Sequence, residues 1–148
     1  LQPDNLQAVV SQIELLDKQG KTDESRQLLA RQLAAHPESA YLQHALGMWL
    51  LHHGERPYAL LGLSKAVELA PDNPDYRYDL ATTLHAQDEV EAAQRQLEEI
   101  VQRHPANRKA RVLLVTYWKE TGQLQNVQVL LAQLEQQNPD DPALQQGL

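Results

Sequence analysis

The stretch AYLQHALGMWLLHHGERPYALLGLSKAVELAPDN, residues 40–73, decides the fold. Two apolar runs, each about one helix long, are divided by Gly54 and closed by Pro71. Glycine reaches positive φ at little steric cost, and proline cannot continue a helix, so both residues punctuate helices. The stretch therefore predicts two antiparallel helices joined by a tight turn. Within it, Leu46 beside Gly47 sets a large residue next to a tiny one in the first helix, and Ala59 supplies a small residue in the second. Small side chains let backbones approach closely, while Leu63 is placed to fill the space between neighbouring hairpins.

The same wording recurs on both sides. Pro3, Pro37, Pro71, Pro105 and Pro139 stand 34 residues apart without an insertion. Gly20, Gly54 and Gly122 keep the same interval, with Asp88 at the missing node, and Pro74 and Pro142 stand two periods apart. Leu80–Ala81 repeats Leu46–Gly47, Ala93 repeats Ala59, and Leu97 and Leu131 repeat Leu63. A fixed period of this size marks a repeat architecture. The pattern predicts helices over 6–19, 23–35, 40–53, 57–69, 74–87, 90–103, 108–120 and 124–137. Ser39, Asn73 and Asp141 are placed to cap helices through their side-chain oxygens, with Pro74 and Pro142 at the first helical position.

Composition agrees and narrows the chemistry. Strand-favouring residues are sparse and never alternate over a usable length, so the expectation is all-α. The absence of cysteine excludes disulfides, thiolate metal sites, covalent haem attachment and a cysteine nucleophile within this segment. A net charge of -7 argues against nucleic acid, whose phosphates are bound through Lys and Arg. No apolar run has the roughly 20 residues of a membrane span, so no membrane insertion is expected.

The residues resemble the tetratricopeptide repeat family, whose 34-residue unit carries a W-x2-L-G-x2-Y, A-x3-F, A and P pattern. Leu46, Gly47, Ala59, Leu63, Ala66 and Pro71 match or conservatively replace it in one unit, and Leu80, Ala81, Ala93 and Pro105 do so in the next. Ile13 and Val115 stand where the family prefers Gly or Ala, and Ser25 and Val127 where it prefers Ala. The resemblance implies a right-handed superhelical solenoid of antiparallel helix pairs. It divides a single domain, 1–148, into repeats 6–39, 40–73, 74–107 and 108–141. Residues 1–5 are then the tail of a preceding unit, 142–148 the start of a further helix, and the natural protein is expected to be longer.

Enzyme motifs are absent: no nucleophile elbow, phosphate loop, dinucleotide fingerprint or H-E-x-x-H occurs. Adjacent carboxylates such as Glu98–Glu99 point to different azimuths of a helix, so they do not form an acid/base pair. His36 and His104 each precede a lattice proline at a helix end. His44, Met48 and His52 form one stripe on a helix. Two imidazoles about two turns apart cannot close around one ion, so no metal and no other cofactor is expected. The segment is read as non-catalytic.

Function is expected instead on the concave surface that the resemblance gives to the first helices of the repeats. It places Tyr41, His44, Met48 and His52 of the second unit there, with Asp75, Tyr78, Thr82 and His85 of the third and Lys109, Thr116 and Lys119 of the fourth. Rings and a thioether supply apolar contact, while hydroxyls, imidazoles and ammonium groups set register. The expected partner is a peptide or helix segment of another protein. The Lys and Asn clamp by which some relatives hold acidic chaperone tails is missing, though Arg108, Lys109 and Arg111 could attract an acidic segment. Two alternatives accompany this reading. One is an accessory scaffold of a larger bacterial protein, since residues 42–51, 69–86 and 104–122 resemble repeat segments of multihaem c-type cytochromes and exported assembly factors; that resemblance implies a bacterial periplasmic setting. The other is a homo-oligomer formed through uncapped terminal helices, aided by Leu144 and Leu148.

Overall fold

The computed structural model describes residues 3–137, among which there are eight helices and no strand. In chain order these are α1 (Pro3–Lys18), α2 (Thr22–Ala35), α3 (Ala40–His52), α4 (Arg56–Leu69), α5 (Pro74–His85), α6 (Val90–Arg103), α7 (Arg108–Glu120) and α8 (Leu124–Gln137). Every expected helix forms, and the largest difference in an end is at α1, which begins at Pro3 rather than residue 6. Proline suits the start of a helix because the first turn needs no N–H from it. The readings at Pro139, Asp141, Pro142, Leu144 and Leu148, and of a further helix over 142–148, lie outside the described residues.

The chain divides into two compact units, one ending at Leu80 and one beginning at Ala81, so the division falls inside α5. In the first unit α1 packs on α2 and α3 on α4, with α3 also touching α1 and α2. Leu29, Leu42 and Leu63 are fully enclosed. In the second unit α7 packs against α6 and α8. Leu97, Ile100 and Leu114 are enclosed there, while Leu131, the third leucine of its lattice row, is half-buried.

Backbone hydrogen bonds explain why the lattice holds. At the α3–α4 turn, Gly54 N–H donates to Leu51 O at 3.1 Å and Glu55 N–H to Leu50 O at 2.8 Å. This pair of bonds satisfies carbonyls orphaned at the helix end and requires a left-handed residue between them. Gly54 supplies it with φ of 78°. At the node without glycine, Asp88 takes the same conformation, φ 63°, and Glu89 N–H donates to Leu84 O at 3.0 Å. Aspartate tolerates this region better than most residues do, so the turn survives the substitution.

Each turn between hairpins is held at both ends. Ser39 caps α3 by accepting from Leu42 N–H at 3.3 Å, and Asn73 accepts from Asp75 and Tyr76 N–H at 2.9 and 3.3 Å. Asn107, which occupies the same lattice row, accepts from Ala110 N–H at 3.0 Å. Four residues further along each row a long side chain reaches back to the lattice proline. Gln43 donates to Pro37 O at 3.0 Å, Arg77 to Pro71 O at 3.3 Å and Arg111 to Pro105 O at 2.6 Å. Arg111 is only 6% exposed. It fastens a turn, and the expectation that it joins Arg108 and Lys109 in attracting an acidic segment is corrected accordingly.

The tightest approach is between α3 and α4. A Cβ added at Gly47 would lie 2.6 Å from Leu63 Cγ, and one at Gly62 would lie 2.9 Å from Gln43 O and 3.0 Å from Gly47 N. Two facing glycines therefore bring these backbones into contact, which fixes α3 and everything it carries. Ile13, Ser25, Val115 and Val127, which replace the family's small residues, are all buried as well.

Candidate functional site

A cleft of about 350 Å³ lies in the first unit between α1 and α3. From α1 it takes Val10, Ile13, Glu14, Asp17 and Lys18; from α3 it takes Tyr41, His44, Ala45, Met48, Trp49 and His52. Each set recurs every three or four residues, so each is one face of a helix. The α3 face spans about 16 Å at 1.5 Å per residue, which makes the cleft an elongated trough. Val10 and Ile13 are buried in its wall, whereas Met48 is 40% exposed.

Four of the eleven sequence-predicted groove residues, Tyr41, His44, Met48 and His52, thus come together in one place. Asp75, exposed, and Tyr78, half-buried, belong to the first unit on α5 but do not line the trough. Thr82, His85, Lys109, Thr116 and Lys119 belong to the second unit. There His85 stacks on Tyr117 with ring centroids 3.8 Å apart and lies 3.1 Å from Glu120 Oε2. Lys109, Thr116 and Lys119 are exposed on α7, where the Thr116 hydroxyl donates to Val112 O at 2.9 Å.

The two ends of the α3 stripe, half-buried His44 and exposed His52, are held differently. His44 Nε2 is 2.7 Å from Asp79 Oδ2, and its ring stacks on Tyr76 at 4.6 Å. A carboxylate on one side and a phenol ring on the other fix its orientation. Burial pushes the Tyr76 hydroxyl above its ordinary pKa of 10.0, and the negative charges of Tyr41 and Asp75 push it further in the same direction. His52, by contrast, has a side chain 76% exposed and 3.7 Å from Asp17 Oδ2, a loose contact.

From the lining residues Asp17 and Trp49 a polar network runs inward that the sequence reading did not anticipate. The Asp17 carboxylate is 10% exposed and sits 3.1 Å from His53 Nε2. His53 Nδ1 is 2.8 Å from Trp49 O, and the ring stacks on the Trp49 indole at 3.9 Å. Carbonyl and carboxylate oxygens only accept, so the imidazole meets both partners when each ring nitrogen carries a proton. The indole Nε1–H donates to Ser25 Oγ at 3.1 Å. Ser25 has Thr22 O at 2.9 Å and Asp17 Oδ1 at 3.3 Å to share its one proton. Ser25 stands where the family prefers alanine, and its hydroxyl gives the half-buried Trp49 indole N–H an acceptor. A buried carboxylate is tolerable only with such contacts.

Sequence reasoning missed the α1 wall. The signal was present, since Val10, Glu14 and Lys18 precede His44, Met48 and His52 by one period each. A larger cleft, about 510 Å³, occurs in the second unit, lined among others by Val101, Leu114, Trp118, Val129 and Leu130. It contains none of the predicted residues, and Glu98 is its one charged side chain. Among the described residues, no group of three or more His, Asp or Glu side chains could hold a metal ion, and no helix is long and apolar enough to cross a membrane.

Comparison with known proteins places the architecture. The tetratricopeptide repeat family model matches residues 60–129. No curated protein matches the sequence. Among solved structures, the crystal structure of MamA is 18% identical, with a TM-score of 0.70 over 91% of this chain and 79% of that one. The Yersinia enterocolitica type III secretion translocator chaperone SycD is 15% identical, with a TM-score of 0.66 over 82% of this chain and 89% of its own. The first TPR of Spaghetti (RPAP3), bound to HSP90 peptide SRMEEVD, is 17% identical, with a TM-score of 0.68 over 82% of this chain and 97% of that one. These likenesses give an all-α helical-repeat fold of the solenoid class.

Proposed function

Because the tetratricopeptide repeat family model matches residues 60–129 and the fold is an all-α helical repeat, we propose that the chain is a non-catalytic interaction module that takes a segment of another protein in the trough between α1 and α3. The carrying observation is that this trough is apolar at its wall and polar at its rim, with Glu14, Lys18, Met48 and His52 exposed along it. An extended segment rises about 3.3 Å per residue, so roughly five residues fill it; a helix of about three turns fits the same span. Met48 offers a flexible apolar contact, and Tyr41 adds ring area with a polar tip. Peptide capture by this fold is represented by the Spaghetti domain with its HSP90 peptide, and SycD is a chaperone for other proteins. The missing Lys and Asn clamp directs this chain towards different segments. Repeats 6–39, 40–73, 74–107 and 108–141 are the proposed structural frame, and a periplasmic setting remains proposed on the resemblance to exported repeat proteins.

The test is selection of binders from a displayed library of random 12-residue peptides, followed by solution titration. Peptides that bind the unaltered chain should lose at least tenfold in affinity to Met48→Asp, because the substitution sets a charge on the apolar wall. Equal affinity for both forms would place binding elsewhere. Circular dichroism of Met48→Asp should match the unaltered chain, since Met48 is exposed.

A further inference from the structure

The charges along the trough say more about its occupant, given the reading just proposed. Asp17 is committed to Ser25, His52 and His53 and has little left to offer a partner. Glu14 and Lys18 are different. Both line the trough, both are exposed, and among the described residues neither takes an ion pair or hydrogen bond. They stand four residues apart on α1, hence on one face and one turn from each other. The wall they border is apolar, built from Val10, Ile13 and Met48. An occupant thus meets a negative group, then a positive group, in a fixed order beside an apolar slot.

We infer that the trough recognises a short segment whose apolar anchor, a leucine or a phenylalanine, is accompanied by a basic residue that meets Glu14 and an acidic residue that meets Lys18. The order of those charges fixes the direction in which the segment lies. Rim charges of this kind contribute modestly to affinity and strongly to orientation, because the wrong order sets like charges together. Electrostatic complementarity to an ordered pair also distinguishes this occupant from a uniformly acidic tail, for which Glu14 is repulsive.

The experiment uses synthetic 12-residue peptides with a central leucine or phenylalanine and with lysine and glutamate permuted on its two sides. Each is titrated against the unaltered chain, Glu14→Lys/Lys18→Glu and Met48→Asp. In the expected result, one charge order binds the unaltered chain roughly three- to tenfold more tightly than its reverse. That preference inverts in the double variant and shrinks in high salt. If both orders bind equally to both forms while Met48→Asp still weakens them, the charge reading is wrong and the trough remains the site. If no peptide binds, or binding is indifferent to Met48→Asp, the trough itself is the wrong site and both readings fall.

Discussion

His53 in the first unit and Thr121 in the second occupy the same place, each being the C-cap of a first helix, two periods apart. Each bonds the carbonyl four residues back at 2.8 Å: His53 Nδ1 to Trp49 O, and Thr121 Oγ1 to Tyr117 O. Beyond that shared bond the two regions diverge. His53 reaches the Asp17 carboxylate, which also faces Ser25 and His52. Thr121 Oγ1 receives the amides of Gln94 at 3.0 Å and Gln123 at 2.9 Å, and Gln123 Nε2 also donates to Gln94 Oε1 at 2.9 Å. One region closes its inner bonds with an ionisable pair and the other with neutral amides. Asp17 of the ionisable pair lines the trough itself, so the repeat changes its internal chemistry where it builds a wall that must hold exposed side chains in place.

The comparison can be broken most forcefully at the glycines that set α3 against α4. Gly62→Ala places a Cβ against main-chain atoms of Gln43 and Gly47, which cannot move without moving α3. A loss of about 3 kcal/mol is expected in denaturant unfolding, at the upper end of overpacking costs. Gly47→Ala meets mainly the Leu63 side chain, at 2.6 Å, with Ala59 O at 3.1 Å, and should cost somewhat less, about 2 kcal/mol. Hydrogen exchange should show the loss at Leu42 in the first unit before it appears at Leu114 in the second.

The next largest effect separates the two networks. Asp17→Ala leaves His53 Nε2 without its carboxylate partner, while Ser25 keeps Thr22 O, and should cost about 2 kcal/mol. Replacing both partners, as in Asp17→Leu/His53→Thr, imitates the uncharged solution of the second unit and should recover more than half of that loss. A double variant no more stable than Asp17→Ala would show that the pair does not act as a unit. Gln94→Ala in the second unit should cost about 1 kcal/mol, since no ionisable group is stranded.

Legibility in the sequence follows the same division. Helix number and nearly all helix ends were readable because proline and glycine act locally and repeat without insertion. Asp88 was readable as a turn only from its place in that lattice, and its positive φ bears this out. The α3 wall of the trough was readable as one stripe, His44, Met48 and His52. The α1 wall was marked only by the repeat period and was passed over, because the matching residues Val10, Glu14 and Lys18 share no chemistry with that stripe. Nor could the pairing of Asp17 with His53 be read, since it depends on packing between helices rather than on spacing along one. Arg111 misled for a related reason: a surface charge and a buried clasp look alike until the carbonyl of Pro105 is in view.

Two smaller effects sharpen the contrast. At the Asp88 turn the second unit carries a residue that the first unit replaces with glycine at Gly20 and Gly54. Asp88→Gly should therefore stabilise the chain, by up to about 1 kcal/mol, because it removes the Cβ cost of the left-handed region. Thermal unfolding should shift upward, and a downward shift would mean that the aspartate side chain supports the turn by more than its strain costs.

The smallest effect is a pH dependence confined to the first unit. Tyr76 has its hydroxyl pKa raised by burial and by the neighbouring charges of Tyr41 and Asp75, and its lattice counterpart in the second unit is Ala110, which does not ionise. A raised pKa means that the folded chain keeps the phenol proton when the unfolded chain has begun to lose it. The contribution to stability is therefore complete below about pH 10 and declines as pH rises through the folded value. Hydrogen exchange around His44, which stacks on Tyr76, should accelerate over that interval, and Tyr76→Phe should remove the excess acceleration while keeping the ring. An alkaline response of equal size at Ala110 and Leu114 would show that the loss is general, and the trough would then owe nothing particular to this ring.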